Sequence, residues 1–285
     1  TGIGISRDRR INQIRSKKAT KMKLDSLNGW FSDKKSVLVA LSGGVDSALV
    51  AYCAYDVLGD SAIAVTADYK TLAQEELESA KKICKEIGIH HLIISYDELQ
   101  NPDFVKNDQN RCFYCRSELA QHLTKLVKQR NIEFIVDGTN LDDLGDYRPG
   151  IEALRNNGIR SPLVESGFTK KEVRNYAKQV GLSVYDKPSN SCLASRIPWG
   201  QRVTAQRLAR IEMGEIFVKQ MTGVRQVRVR DINGMAKIEV GSDELAVFQQ
   251  INFDELKLKL LSIGFESVKI DETGYRPGKI NVIAD

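Results

Sequence analysis

Short apolar runs alternate with longer amphipathic ones from Ser36 to about Asp186. The runs at 36–41, 62–67, 91–96 and 134–137 are rich in Val, Ile, Leu and Ala and read as strands, with a weaker one at 182–185. Helical periodicity fills the intervals at 47–58, 72–87, 116–130 and 169–180. The last opens on the capping box Thr169-Lys170-Lys171-Glu172. Strand and helix in alternation predict an α/β fold: a parallel sheet with helices on both faces. Ligands of such sheets sit beyond the strand C-termini. Three of those ends are polar here: 42–47, Asp68-Tyr69, and Asp137-Gly138-Thr139-Asn140 with Asp142-Asp143.

The pattern changes after Thr204. A helix is predicted to about Thr222. Segments 226–231 and 235–240 then alternate around Asn233-Gly234, a strong hairpin signal. With a two-residue turn Arg228 faces Glu239 and Arg230 faces Lys237, all on one face, while Val227, Val229, Ile238 and Val240 share the other. Two readings stay open for the charged face: a solvated surface with a weak cross-strand pair, or an arginine clamp for phosphate or carboxylate. Helices at 242–250 and 253–263 and a strand at 267–271 complete a smaller C-terminal α+β domain. The expected division is a basic arm at 1–23, an α/β domain at 24–200 and a smaller α+β domain at 201–285.

The first polar strand end carries the most chemistry. Ser42-Gly43-Gly44-Val45-Asp46-Ser47 joins a strand to a helix start. Its glycines let backbone approach a phosphate, its amides converge, and the helix dipole favours an anion. The serine hydroxyls add donors, and Asp46 is suited to hold magnesium on the phosphates. The loop lacks the Gly-Lys-Ser/Thr ending of a Walker motif and the third glycine of a dinucleotide fingerprint.

Cys53 and Cys84 fall on helical apolar stripes and read as core. Cys112 and Cys115 form a Cys-x-x-Cys placed in a polar loop before the 116–130 helix, and Cys192 lies in a Pro-, Ser- and Gly-rich segment. A redox pair, a three-thiolate zinc site and an iron–sulfur cluster with one open iron are all compatible with this trio.

Composition excludes some classes. At 42% hydrophobic and 28% charged the chain reads as globular, and no apolar run reaches membrane-spanning length or forms a secretory signal. Five cysteines without a disulfide framework point to a reducing compartment, hence the cytoplasm. The net charge of +5 is local: residues 1–23 hold eight basic side chains and one acidic one, a charge of +7, which leaves −2 for 24–285. A body without positive surplus argues against a nucleic-acid partner.

Ser42–Ser47 after a strand resembles the pyrophosphate loop of the PP-loop ATP pyrophosphatase superfamily, whose adenine nucleotide alpha hydrolase-like fold matches the pattern. Asp146-Tyr147-Arg148-Pro149-Gly150, Ser191-Cys192-Leu193-Ala194-Ser195-Arg196, Val227-Arg228-Val229-Arg230 with Ile238-Glu239, and Tyr275-Arg276-Pro277-Gly278-Lys279 together resemble the LarE sulfurtransferase family, in order from about residue 24 to the end. The resemblance implies ATP-dependent sulfur transfer to the carboxylates of pyridinium-3,5-biscarboxylic acid mononucleotide, through an adenylate, toward a nickel-pincer cofactor. It implies ATP and Mg2+ bound by Ala40, Leu41, Ser42, Gly43, Gly44, Asp46, Ser47, Asp68 and Gly138. It implies substrate on Arg228, Arg230, Glu239 and Arg148, with Asp46, Cys192 and Arg196 catalytic, a sulfide donor, and assembly into a homo-oligomer. Members that sacrifice their cysteine typically lack the Cys-x-x-Cys. Cys112, Cys115 and Cys192 therefore resemble the branch that holds a 4Fe–4S cluster, with a sacrificial Cys192 or a cluster-dependent tRNA thiolase as alternatives.

Overall fold

The computed structural model describes residues 22–145, 149–248 and 250–276. The chain forms two compact units. The first comprises the chain to Ala67, Glu75–Ile94 and Arg116–Lys187. The second comprises Asp68–Gln74, Ser95–Cys115 and the chain from Pro188. Arg148 and the end of the terminal Tyr-Arg-Pro-Gly-Lys stretch, from Pro277, lie outside the described residues, as does the basic arm up to residue 21.

The first sheet is built from β1 (Val37–Ala40), β2 (Ala62–Asp68), β3 (His90–Ser95) and β4 (Phe134–Val136) in the order β3-β2-β1-β4. β1 runs parallel to both neighbours, with Val37 opposite Ala62 on one side and Phe134 on the other. The chain steps outward from β1 to β3 and returns to the far side for β4, which makes the β1–β4 crevice the topological switch point. The helices α1 (22–32), α2 (Val45–Leu58), α3 (Gln74–Ile87), α4 (Pro102–Val105) and α5 (Arg111–Arg130) are followed by α6 (Pro149–Asn156), α7 (Pro162–Glu165) and α8 (Lys170–Gln179). Helix α2 is apolar on most sides because it is buried on most sides: Leu49, Val50, Cys53 and Ala54 share a core with Val37, Val39 and Phe168.

The expected strand at 182–185 is not one. Leu182 and Val184 do enter the core, which produces the alternation, but the segment closes turns on itself through Leu182 N to Ala177 O and Tyr185 N to Leu182 O. A bridge from Arg160 to Val136 pairs with β4 instead.

In the second unit α9 (Ala205–Thr222) packs on a three-stranded sheet, order β5-β6-β7, of β5 (Val227–Ile232), β6 (Met235–Val240) and β7 (Ser267–Ile270), with α10 (Leu245–Phe248) and α11 (Phe253–Ser262) between the last two strands. The hairpin register is the predicted one, Arg228 opposite Glu239 and Arg230 opposite Lys237. Asn233 and Gly234, at φ 47° and 86°, supply the left-handed pair that such a turn needs. Among the described residues no helix is long and apolar enough to cross a membrane.

Candidate active site

The loop after β1 is held from several sides within the first unit. Ser42 N donates to Ser47 Oγ at 3.1 Å, the two serine hydroxyls meet at 3.0 Å, and Ser47 Oγ reaches Gly44 O at 3.2 Å. Gly43 adopts φ 79°, and a Cβ there would stand 2.4 Å from Glu76 O, so only glycine fits. Its carbonyl accepts from Ser79 Oγ and from Lys187 Nζ, which also pairs with Glu76 at 2.8 Å. The backbone is thus pre-shaped, and the amides opening α2 stay available to an anion. Upstream, Leu41 is pinned to β2 by Leu41 N to Val65 O and by Thr66 Oγ1 to Leu41 O, and Ala40 ends β1. Gly138 follows β4 across the switch point, so close that a Cβ would lie 2.5 Å from Ser47 N.

Asp46 sits in the first turn of α2. Asn140 Nδ2 donates to one of its oxygens at 3.2 Å and Lys170 Nζ pairs with the other. Burial raises the Asp46 pKa more than Lys170 lowers it. One partly buried carboxylate beside a phosphate loop fits magnesium, which prefers one or two protein carboxylates plus phosphate oxygens and waters. Lys170, Glu76 and Lys187 are neighbours of the loop that sequence reasoning missed, whereas Asn140 lies in a polar strand end that it singled out. Lys170 had a signal, since it follows the Thr169 cap and that box fixes where the helix begins. Asp68 ends β2 exposed. It borders a cavity of about 500 Å³ lined also by Tyr69, Lys70, Tyr96 and Asp97.

The remaining candidates belong to the second unit. Cys112 and Cys115 stand in the first two turns of α5, not in a preceding loop, because the helix begins at Arg111. Cys112 is exposed, Cys115 buried and Cys192 intermediate. Buried Arg111 donates to Cys112 Sγ at 3.8 Å, Asn107 Oδ1 at 2.7 Å and Ala194 O at 2.8 Å, tying the Cys-x-x-Cys turn to the Cys192 segment. Burial works against its charge, yet Cys192 and Cys112 raise its pKa on balance. Among the described residues no three Cys, His, Asp or Glu side chains are grouped to hold a metal ion. The three thiols surround Arg111 and are not drawn together at a single point.

The charged hairpin face is buried, which removes the solvated reading. Arg228 and Arg230 are each 4% exposed and Glu239 1%. Arg230 chelates Glu239 at 2.8 and 3.0 Å. Arg196, fully buried, chelates Glu215 of α9 at 2.8 and 3.0 Å and donates to Ser191 O and Cys192 O, which fixes the backbone under the cysteine. Burial opposes the charge of Glu215, but Arg196 and then Arg228 hold its carboxyl below the ordinary value. Arg228 differs: it donates to two carbonyls, Val227 O and Ser189 O, while its buried Nε has no hydrogen-bond partner among the described residues. Burial, then Arg196, pushes its pKa down to about 10, so it remains charged at neutral pH. Three guanidiniums thus face two chelated carboxylates, and Arg228 carries the surplus positive charge.

A phosphate loop at the switch point of a parallel sheet defines a nucleotide-activating enzyme of the PP-loop class. The family model described as "Queuosine biosynthesis protein QueC" matches residues 36–143, which span that loop and sheet. The chain is 42% identical over 260 residues to the uncharacterized protein slr1717 of Synechocystis, covering 91% of this chain and 97% of that one. It is 32% identical over 250 residues to the pyridinium-3,5-bisthiocarboxylic acid mononucleotide synthase of Lactiplantibacillus plantarum, covering 87% and 90%. It is 29% identical over 260 residues to the uncharacterized protein MJ0830 of Methanocaldococcus jannaschii, covering 91% and 98%. The chain belongs to the family of that synthase, LarE.

Proposed function

We propose that this enzyme activates a carboxylate of a pyridinium mononucleotide with ATP and replaces its oxygen by sulfur. The observation that carries the substrate half is Arg228: a buried, charged guanidinium with an unused Nε and, among the described residues, no carboxylate paired to it calls for an anion. The substrate phosphate supplies one. Arg230, tied to Glu239, orients the clamp, and the first unit serves as the ATP domain while the second handles substrate and sulfur.

A carboxylate repels nucleophiles and cannot expel oxide. Its oxygen therefore attacks the α-phosphorus of ATP, and the bond to the β-phosphate breaks with pyrophosphate leaving. The amides of 42–47 stabilise the charge on that leaving group, and Lys170 offers a cation beside Asp46. Asp46 would hold magnesium, which would supply charge neutralisation on the phosphates. A sulfur nucleophile then adds to the acyl carbon and AMP departs, so a C–O bond is exchanged for C–S. Two ring carboxylates require two rounds.

Cys112, Cys115 and Cys192, gathered around Arg111, are the sulfur-handling groups of this reading. Mass spectrometry after turnover tests Cys192 as donor, because loss of its sulfur leaves dehydroalanine. An iron and acid-labile sulfide count on anaerobically reconstituted protein tests a 4Fe–4S cluster on the trio. The central experiment is pyrophosphate release from ATP. Release that depends on added pyridinium biscarboxylate mononucleotide supports the function, and release indifferent to it refutes the substrate. Assembly into a homo-oligomer belongs to the same reading and is measured by light scattering.

A further inference from the structure

The unused Nε of Arg228 is buried, so no phosphate reaches it unless something moves. Tyr275 lies over this guanidinium, its ring centroid 5.0 Å from the Arg228 guanidinium carbon and 5.9 Å from that of Arg230. Arg228 stands on the same sheet face as Arg230, and the tyrosine ring spans both cations. The segment bearing it is held at its base. Asp271 pairs with Lys237 at 2.7 Å, accepts from Thr273 N at 2.9 Å, and accepts Gly274 N through its backbone oxygen at 3.2 Å. Beyond that turn, Tyr275 is fastened to the sheet by its backbone N–H to Val240 O at 2.8 Å. Arg276 next to it is exposed.

From this arrangement we infer that Tyr275 is the gate and specificity residue of the arginine clamp. Its ring occupies the cations in the empty enzyme and is displaced by an anion that also offers a flat ring to stack against. The inference rests on the reading of Arg228 as the substrate-phosphate site. A bare phosphate gains the guanidinium but forfeits the ring–cation contact. A mononucleotide replaces that contact with its own ring, so the gate discriminates against small anions. The ring matters here and the hydroxyl does not.

Arginine labelling with phenylglyoxal, read residue by residue by mass spectrometry, tests this without turnover. Arg276 serves as the exposed reference and Arg196, fully buried on Glu215, as the reporter of an intact fold. Tyr275→Ala is expected to raise Arg228 labelling by ~10-fold relative to Arg276, the scale of one lost ring–cation contact, with Arg196 still protected. Tyr275→Phe is expected to label as the unsubstituted protein does. Inorganic phosphate is expected to slow Arg228 labelling in Tyr275→Ala at concentrations that leave the unsubstituted protein unaffected. Unchanged labelling in Tyr275→Ala overturns the gate, and so does Tyr275→Phe behaving like Tyr275→Ala. If Arg196 labels in Tyr275→Ala, the comparison passes to Tyr275→Leu, which fills the space without a π face and carries the same expectation as alanine. Failure of the substrate reading is separately visible: pyridinium mononucleotide then gives no protection of Arg228 in any form of the protein.

Discussion

Replacing Gly138 by alanine adds one methyl group at the point where the strand β4 turn meets the phosphate loop. That carbon would lie 2.5 Å from Ser47 N, 2.8 Å from Ser47 Cα and 3.0 Å from Asp46 C. All three are backbone atoms, so no side-chain rotation relieves the contact. Restoring ordinary separation takes a shift of ~1 Å in the first turn of α2, the turn whose amides are proposed to receive the pyrophosphate. Overpacking of this kind costs ~1–3 kcal/mol of stability. A catalytic group misplaced by ~1 Å costs ~10²-fold in rate, so pyrophosphate release should fall ~10–100-fold. The assay pairs substrate-dependent pyrophosphate release with thermal unfolding. Gly29→Ala is the matched control: the glycine is exposed within α1, a Cβ there meets nothing within 4 Å, and the change should stabilise by ~0.5–1 kcal/mol. A Gly138→Ala protein that releases pyrophosphate at the unsubstituted rate would refute the placement of the nucleotide at this loop.

Three further outcomes follow from the same geometry. Arg228→Met should weaken pyridinium mononucleotide binding ~10²-fold in calorimetry, the loss of a charge-assisted contact, and leave ATP binding intact. Arg196→Ala strands Glu215 in the core and should destabilise by ~3–5 kcal/mol in denaturant titration, with the change largest at pH values where Glu215 is ionised. Asp46 has a folded pKa raised above 3.8, chiefly by burial. The neutral form is therefore the one favoured by folding. Its contribution is greatest below the ordinary carboxylate pKa and is lost as pH rises through the folded value. Asp46→Asn should flatten that part of the stability–pH profile and abolish magnesium-dependent pyrophosphate release.

What the sequence disclosed, and what it hid, separates along a physical line. Local periodicity carries local structure. The four parallel strands, the Thr169–Glu172 capping box, and the hairpin with its register were all legible, because each depends on residues close in sequence or on a two-residue turn. Even the failure at 182–185 has a local origin, since Leu182 and Val184 are buried with the alternation of a strand while their backbone bonds are satisfied in turns. The start of α5 was hidden because Asn107, Asp108 and Asn110 before Cys112 are turn formers, yet here Asn107 bonds Arg111 and the helix begins directly after them. What periodicity cannot carry is the environment of a charge. Alternation assigns Arg228, Arg230 and Glu239 to one face, but whether that face is wet depends on Glu215 from α9, Ser189 and Tyr275, all distant in sequence. The same holds for Asp46, whose partners Asn140 and Lys170 come from the segment after β4 and from the start of α8. A binding site in this protein is therefore the set of places where charge is buried without local compensation. Of the buried arginines at positions 196, 228 and 230, two are chelated by carboxylates and one is not. That inequality singles out Arg228, and the side-chain pattern along the hairpin, which treats Arg228 and Arg230 alike, has no means of showing it.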